Sequence, residues 1–136
     1  MIVADASLIA YLCIDGEQTA LAESIFGHDG VWVAPLLWRS EFRNTLVKYL
    51  HHGLMGMESA LISLQMAEEA VAGREYAVDS RAVLELAAQS KCTAYDCEYV
   101  ALAQDLGVPL VTTDKQIMRE FPGTAVALEK FAKKKQ

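Results

Sequence analysis

Short apolar runs alternate with longer helical segments along almost the whole sequence, and this alternation limits the folds open to the chain. The apolar runs cover residues 2–4, 31–33, 76–78, 109–112 and 125–127. They show no polar–apolar alternation, which is expected when both faces of a strand are covered. Strands of this kind between helices predict a three-layer α/β/α domain with a central, mostly parallel sheet of four to five short strands.

Helical periodicity and terminal residues predict the segments between these strands. The predicted helices cover residues 6–12, 19–26, 36–52, 58–72, 80–89, 93–106 and 114–121. Glycines are expected to end four of them, at Gly27, Gly53, Gly73 and Gly107. No linker or repeat divides the chain, so residues 1–136 are expected to form a single domain, with a basic, frayed tail over 128–136.

Composition supports a folded protein without a membrane span. The chain has 136 residues, of which 53% are hydrophobic and 22% charged, and no apolar run approaches the roughly 20 residues of a membrane helix. The N-terminus has no basic lead, so no signal peptide is expected and a cytoplasmic location is the default. The cysteines Cys13, Cys92 and Cys97 have no CxxC spacing, so we expect buried thiols instead of disulfides or zinc.

The net charge of −6 argues against a nucleic-acid partner, because phosphate binding normally uses a basic surface. A nuclease is compatible with this charge only if part of it belongs to a metal site. Bound divalent cations would then neutralise the acids, and local basic residues would contact phosphate.

Taken singly, each of four acids has an ordinary structural explanation. Asp5 and Asp114 each follow a strand and precede a helix, so both are candidate helix caps. Asp96 stands three residues after Thr93, the spacing of a capping box. Glu41 lies on a partly apolar helix face and needs a partner, for which the neighbouring arginines are candidates.

Topology gives these acids a second interpretation. In a parallel sheet the residues that follow the strands share one edge, where α/β proteins place their ligand sites. Asp5, Asp96 and Asp114 are all expected near that edge. Converging carboxylates repel one another, and a hard divalent cation such as Mg²⁺ or Mn²⁺ removes that cost. Such cations catalyse phosphodiester hydrolysis without a serine, cysteine or histidine nucleophile.

Three cations share the predicted helix of Glu41: Arg39, Arg43 and Lys48. One interpretation is a solvated helix face with ion pairs to neighbouring acids. The other is a rim that contacts RNA phosphates. The sequence alone leaves both interpretations open.

Four short motifs in order resemble those of PIN-domain proteins, especially the VapC toxins of bacterial and archaeal toxin–antitoxin systems. The motifs are Val3-Ala4-Asp5-Ala6-Ser7, Ser40-Glu41-Phe42, Thr93-Ala94-Tyr95-Asp96 and Leu110-Val111-Thr112-Thr113-Asp114. Their order, approximate spacing and the chain length all agree with the family, and the resemblance covers nearly the whole chain.

The resemblance implies a PIN-like domain whose catalytic and metal-binding acids are Asp5, Glu41, Asp96 and Asp114. Ser7 and Thr112 match polar positions that support such a site. The family further implies Mg²⁺ or Mn²⁺ dependence and endonucleolytic cleavage of tRNA, ribosomal RNA or messenger RNA that inhibits translation or growth. It also implies homodimers and inhibition by a cognate antitoxin protein.

Two rival functions remain open from the residues themselves. A doubly wound phosphatase or phosphotransferase would use Asp5 as its nucleophile. That chemistry usually takes a second acid two residues later, where this chain has Ser7. A non-catalytic RNA- or protein-binding module on the same fold is the other rival.

Overall fold

The computed structural model describes residues 1–134, and within them short strands alternate with helices as predicted. The strands are β1 (Ile2–Ala4), β2 (Trp32–Pro35), β3 (Glu75–Tyr76), β4 (Leu110–Thr112) and β5 (Ala125–Ala127). The helices are α1 (Ala6–Cys13), α2 (Thr19–His28), α3 (Trp38–His51), α4 (Met57–Ala70), α5 (Ser80–Ala88), α6 (Ala94–Leu106), α7 (Lys115–Glu120) and α8 (Leu128–Lys134).

All five strands of the described chain form one parallel sheet in the order β3-β2-β1-β4-β5. The central strand β1 pairs Val3 with Val33 on one side and with Leu110 on the other. Every residue of β1, β2 and β4 is buried, which explains why their sequences lack alternation. Because the strands are parallel, their carboxyl ends all meet at one edge of the sheet.

The helices cover both faces of the sheet, as the three-layer prediction requires. Helices α1 to α4 lie in the connections that run from β1 through β2 to β3, toward one side of the sheet. Helices α5 to α7 lie in the connections that run from β3 through β4 to β5, toward the other side. Right-handed crossovers place these two sets on opposite faces. The contacts agree, because α1 packs on α2, α3 and α4, whereas α5 packs on α6.

Three sequence predictions about boundaries are wrong in detail. Helix α2 continues through Gly27 to His28, because a helix tolerates one glycine at a modest cost. The long helix begins at Trp38 instead of residue 36, since Pro35 extends β2 and pairs with Tyr76. The third strand is Glu75–Tyr76, which begins one residue earlier and ends two residues earlier than predicted.

The predicted frayed tail is also wrong over most of its length. Residues Leu128–Lys134 form α8, and Leu128, Phe131 and Ala132 are buried against α2 and β5. Their i, i+3, i+4 spacing gives the segment an apolar face that outweighs its lysines. Lys135 and Gln136 belong to the predicted tail but lie outside the described residues.

Two expectations from composition agree with the structure. Cys13, Cys92 and Cys97 are free and buried among apolar side chains. Within residues 1–134, no helix combines the length and apolar character required to cross a bilayer.

Candidate active site

Asp5 and Asp114 stand where the topology predicts, just beyond the carboxyl ends of the adjacent strands β1 and β4. Asp114 caps α7, because its Oδ1 accepts a hydrogen bond from the Ile117 N–H at 2.9 Å. Asp5 occupies the corresponding position before α1, but its side chain makes no capping hydrogen bond. The capping interpretation therefore explains Asp114 more directly than Asp5, whose carboxyl interacts with the Ala6 and Ser7 backbone without forming a capping hydrogen bond.

Thr112 joins these two acids. It is the last residue of β4 and fully buried, and its hydroxyl donates a hydrogen bond to Asp5 Oδ2. The hydroxyl oxygen of Thr112 itself accepts a hydrogen bond from the Asp114 N–H at 3.0 Å. Beside it, the Thr113 hydroxyl donates to Ser7 Oγ at 3.1 Å. Thr112 and Ser7 thus lie next to the acids, and Thr112 orients Asp5 directly.

Glu41 approaches the same edge from the first turn of α3. Its Oε1 accepts a hydrogen bond from the Tyr99 hydroxyl of α6 at 2.6 Å. Arg39 and Arg43, the arginines predicted as its partners, form no ion pair with it. Burial raises the pKa of the Glu41 carboxyl, the Tyr99 bond offsets part of this rise, and repulsion from Asp5 and Asp96 adds to it.

Asp96 forms the predicted capping box at the start of α6. Its Oδ2 accepts the Thr93 N–H at 3.2 Å, and its own N–H donates to Thr93 Oγ1 at 3.1 Å. Its charge is nevertheless close enough to raise the pKa of Glu41. Asp96 therefore serves as a cap and belongs to the acidic edge at the same time.

The edge opens into a cavity of about 330 Å³. Three of the four predicted acids line it, together with small polar side chains and one lysine. The lining residues are Asp5, Ala6, Ser7, Glu41, Asn44, Thr45, Lys48, Thr113 and Asp114. Asp96 is outside this lining and acts on the site through its charge.

The acids at this edge carry an uncompensated negative charge. In residues 1–134, no lysine, arginine or histidine forms an ion pair with Asp5, Glu41, Asp96 or Asp114. Burial raises the pKa of Asp5 above its usual range, and the Thr112 bond offsets part of that rise. Such a group of carboxylates is costly unless a cation joins it.

The side chains as they stand do not form a closed metal cage. Over the described part of the chain, no three His, Cys, Asp or Glu side chains come close enough together to hold an ion. The donor chemistry still fits Mg²⁺, which prefers carboxylate oxygens, usually takes one or two of them and keeps several waters. The four-ligand metal site therefore stays a prediction.

The three cations predicted to contact RNA have different surroundings. Lys48 is exposed and lines the carboxylate cavity, and Arg43 is exposed on the same helix. Arg39 is held elsewhere: it donates to Glu75 at 2.6 and 2.9 Å and to Glu68 at 2.5 Å. These bonds argue for a structural role of Arg39 and against its role as an RNA contact.

Three residues at this edge, Tyr99, Asn44 and Thr45, were not predicted as site residues from the sequence. Tyr99 follows Asp96 by three residues on a helix, so the two side chains share a face of that helix. This spacing could have identified Tyr99 as a neighbour of the site from the sequence. Asn44 and Thr45 follow Glu41 by three and four residues, which is the same signal on α3. What the spacing alone does not reveal is that α3 and α6 meet at this edge.

Comparison with known proteins finds similarity both in sequence and in structure. The chain is 32% identical over 124 residues to Ribonuclease VapC3 of Pyrobaculum aerophilum, a match that covers 89% of this chain and 95% of that protein. The crystal structure of PAE2754 from the same organism has a TM-score of 0.77 and 22% identity. That match covers 98% of this chain and 87% of that one, and it supports the fold. No family model matches the sequence.

Proposed function

The chain belongs to the VapC family of PIN-domain ribonucleases, and from this membership we propose that it is a divalent-cation-dependent endoribonuclease. The observation that carries the proposal is the cavity at the carboxyl edge, which Asp5, Glu41 and Asp114 line without any ion-pair partner in the described chain. The same three acids stand in the motifs by which the sequence resembles the family.

Asp5, Glu41 and Asp114 would hold the cation, and Asp96 would add its charge to the site. The donors are all oxygens, which favours Mg²⁺ or Mn²⁺ over zinc. When bound, the cation neutralises the carboxylates and stabilises the negative charge that develops on a phosphodiester during hydrolysis. This pairing also removes the objection that a chain of net charge −6 is unsuited to nucleic acid.

The remaining polar groups of the cavity bind and orient the RNA backbone. Lys48 is its basic residue, and its ammonium group attracts a phosphate to the edge of the acidic cluster. Ser7 and Thr113 carry hydroxyls that hydrogen-bond to each other at the cavity wall. They are placed to donate to a phosphate oxygen or to hold a water beside it. Thr112 keeps Asp5 in a fixed orientation from beneath.

The substrate we propose is tRNA, ribosomal RNA or messenger RNA, cut at a single-stranded loop where the backbone is accessible. The protein would act as the toxin of a type II toxin–antitoxin pair, as a homodimer inhibited by its antitoxin. Helix α4 supports the protein-partner part of this proposal. Its apolar side chains Met57, Leu61, Ile62 and Met66 are exposed, and exposed apolar patches mark interaction surfaces.

Cleavage of an end-labelled structured RNA tests the activity. We expect cleavage in Mn²⁺, none in EDTA, and a loss of at least about a hundredfold in Asp5→Asn, which exceeds the usual effect of a supporting residue. Asp105→Asn, an exposed acid at the far end of α6, is the matched control and should cleave normally. Equal cleavage by Asp5→Asn and wild type would contradict the site. Phosphate release from small phosphoesters without RNA cleavage would favour the phosphatase instead.

A further inference from the structure

Tyr99 is a buried tyrosine whose hydroxyl points at one of the proposed ligands. Its side chain is 2% exposed, and the hydroxyl donates to Glu41 Oε1 at 2.6 Å. A carboxylate oxygen accepts and a phenolic hydroxyl donates, so Tyr99 is the donor in this bond.

The bond connects the two helical layers at the carboxyl edge of the sheet. Glu41 lies on α3 and Tyr99 on α6, which pack on opposite faces. Across residues 1–134, no other hydrogen bond or ion pair joins these two helices. Tyr99 also lies one turn after Asp96, so the bond sets the position of the α3 acid relative to the α6 acid.

Glu41 needs such a restraint because its neighbours push it away. Asp5 and Asp96 both repel its carboxylate, and its half-buried side chain has several rotatable bonds. Without the hydroxyl, conformers that carry the carboxylate out to solvent become more favourable. Asp5 has a comparable restraint in Thr112, so each of these two acids is held by a buried hydroxyl from another element.

We propose that Tyr99 is a positioning residue of the cation site, whose hydroxyl holds Glu41 at the cavity in the orientation that binds the divalent ion. This inference rests on the proposed function. A purely structural tyrosine would fill space in the core through its ring alone. The hydroxyl would then matter for neither cation affinity nor its dependence on Glu41.

Tyr99→Phe separates the hydroxyl from the ring. We expect the variant to stay folded and to bind Mn²⁺ about tenfold more weakly, as is typical when a partner of a ligand is lost. Isothermal titration calorimetry with Mn²⁺ and no RNA measures this directly. The Mn²⁺ concentration for half-maximal RNA cleavage should rise by a similar factor. Tyr49→Phe, on α3 but away from the cavity lining, is the control and should bind Mn²⁺ like wild type.

A double-mutant cycle with Glu41→Gln identifies the route of the effect. If Tyr99 acts through Glu41, Tyr99→Phe should cause no further loss of Mn²⁺ affinity in the Glu41→Gln background. An equal loss in both backgrounds would overturn the proposal. So would wild-type affinity in Tyr99→Phe when wild type itself binds Mn²⁺. Wild-type protein that neither binds Mn²⁺ nor cleaves RNA would instead overturn the proposed function on which this inference rests.

Discussion

Helix α3 carries two charged residues, Arg39 and Glu41, that face different acidic clusters. The two positions are about 200° apart around the helix, so their side chains point to different sides. On one side Arg39 binds Glu75 of β3 and Glu68 of α4, which we call the Arg39 cluster. On the other side Glu41 faces Asp5, Asp96 and Asp114, and we call these four acids the edge cluster.

The two clusters differ in how their negative charge is compensated. In the Arg39 cluster, hydrogen bonds from Arg39 lower the pKa of Glu75. In the edge cluster, burial raises the pKa of both Asp5 and Glu41, and the partners that the described residues give these two acids are hydroxyls and backbone groups. Paired acids contribute to the stability of the fold. Unpaired acids reduce it, so their retention at a cavity points to a ligand that pairs them.

Removing one charge from the edge cluster should have the largest effect, because it should lower cleavage activity without lowering stability. Glu41→Gln keeps the shape of the side chain and removes its charge. We expect RNA cleavage in Mn²⁺ to fall by about a hundredfold or more, while the metal-free unfolding free energy stays unchanged or rises because repulsion is relieved. Cleavage assays and urea unfolding on the same preparation measure both. Cleavage equal to that of wild type, or a large loss of stability, would contradict this difference between the two clusters.

Breaking the Arg39 cluster should do the opposite. Arg39→Met removes the arginine donor of Glu68 and leaves Glu75 with the Trp38 Nε1–H alone, and it should cost about 2 kcal/mol of unfolding free energy. Folded protein should retain most of its cleavage activity, since Arg39 does not line the cavity. The control is Arg81→Met, which breaks the exposed Arg81–Glu85 pair and should change stability by less than about 0.5 kcal/mol. A selective loss of cleavage in Arg39→Met would place Arg39 at the RNA instead.

The Arg39 cluster should also make the stability of the protein depend on pH, and this effect should be smaller than the loss caused by Arg39→Met. The pKa of Glu75 is lower in the folded protein than its ordinary value of 4.5. Its contribution is therefore present above that value and is lost as the pH falls through the folded pKa. Glu75→Gln should lower stability at pH 7 and flatten its decline in acid. Urea unfolding from pH 7 to pH 3 measures the slopes, and parallel curves for the two proteins would contradict this account.

The fold was more predictable from sequence than the contrast between the clusters. Apolar runs and helical periodicity are local, and they located the strands β1 to β5 and the helices α1 to α7 to within a few residues. Strand β3 was harder, because Glu75 is charged and joins the sheet only through its pairing with β2. The acids of the edge followed from topology and from the family motifs.

The partners of those acids depend on tertiary distances. Arg39 and Glu75 are 36 residues apart in the sequence, and Glu41 and Tyr99 are 58 apart. The sequence around Arg39 does not show whether its side chain pairs with Glu75 or with Glu41, which is only two residues further along the same helix. Helix α8 was missed for a different reason. Its lysines suggested an exposed basic tail, whereas its apolar face is recognised only from its packing against α2.

The central claim is that the edge cluster lacks an ion pair because a divalent cation pairs it. Thermal unfolding of wild type and Glu41→Gln, each in EDTA and in Mn²⁺, tests this directly. In EDTA, wild type should unfold at the same temperature as Glu41→Gln or below it. Mn²⁺ at about ten times its dissociation constant should stabilise wild type by about 1.4 kcal/mol and reverse the order. An equal response of both proteins to Mn²⁺, or no response in wild type, would contradict the claim.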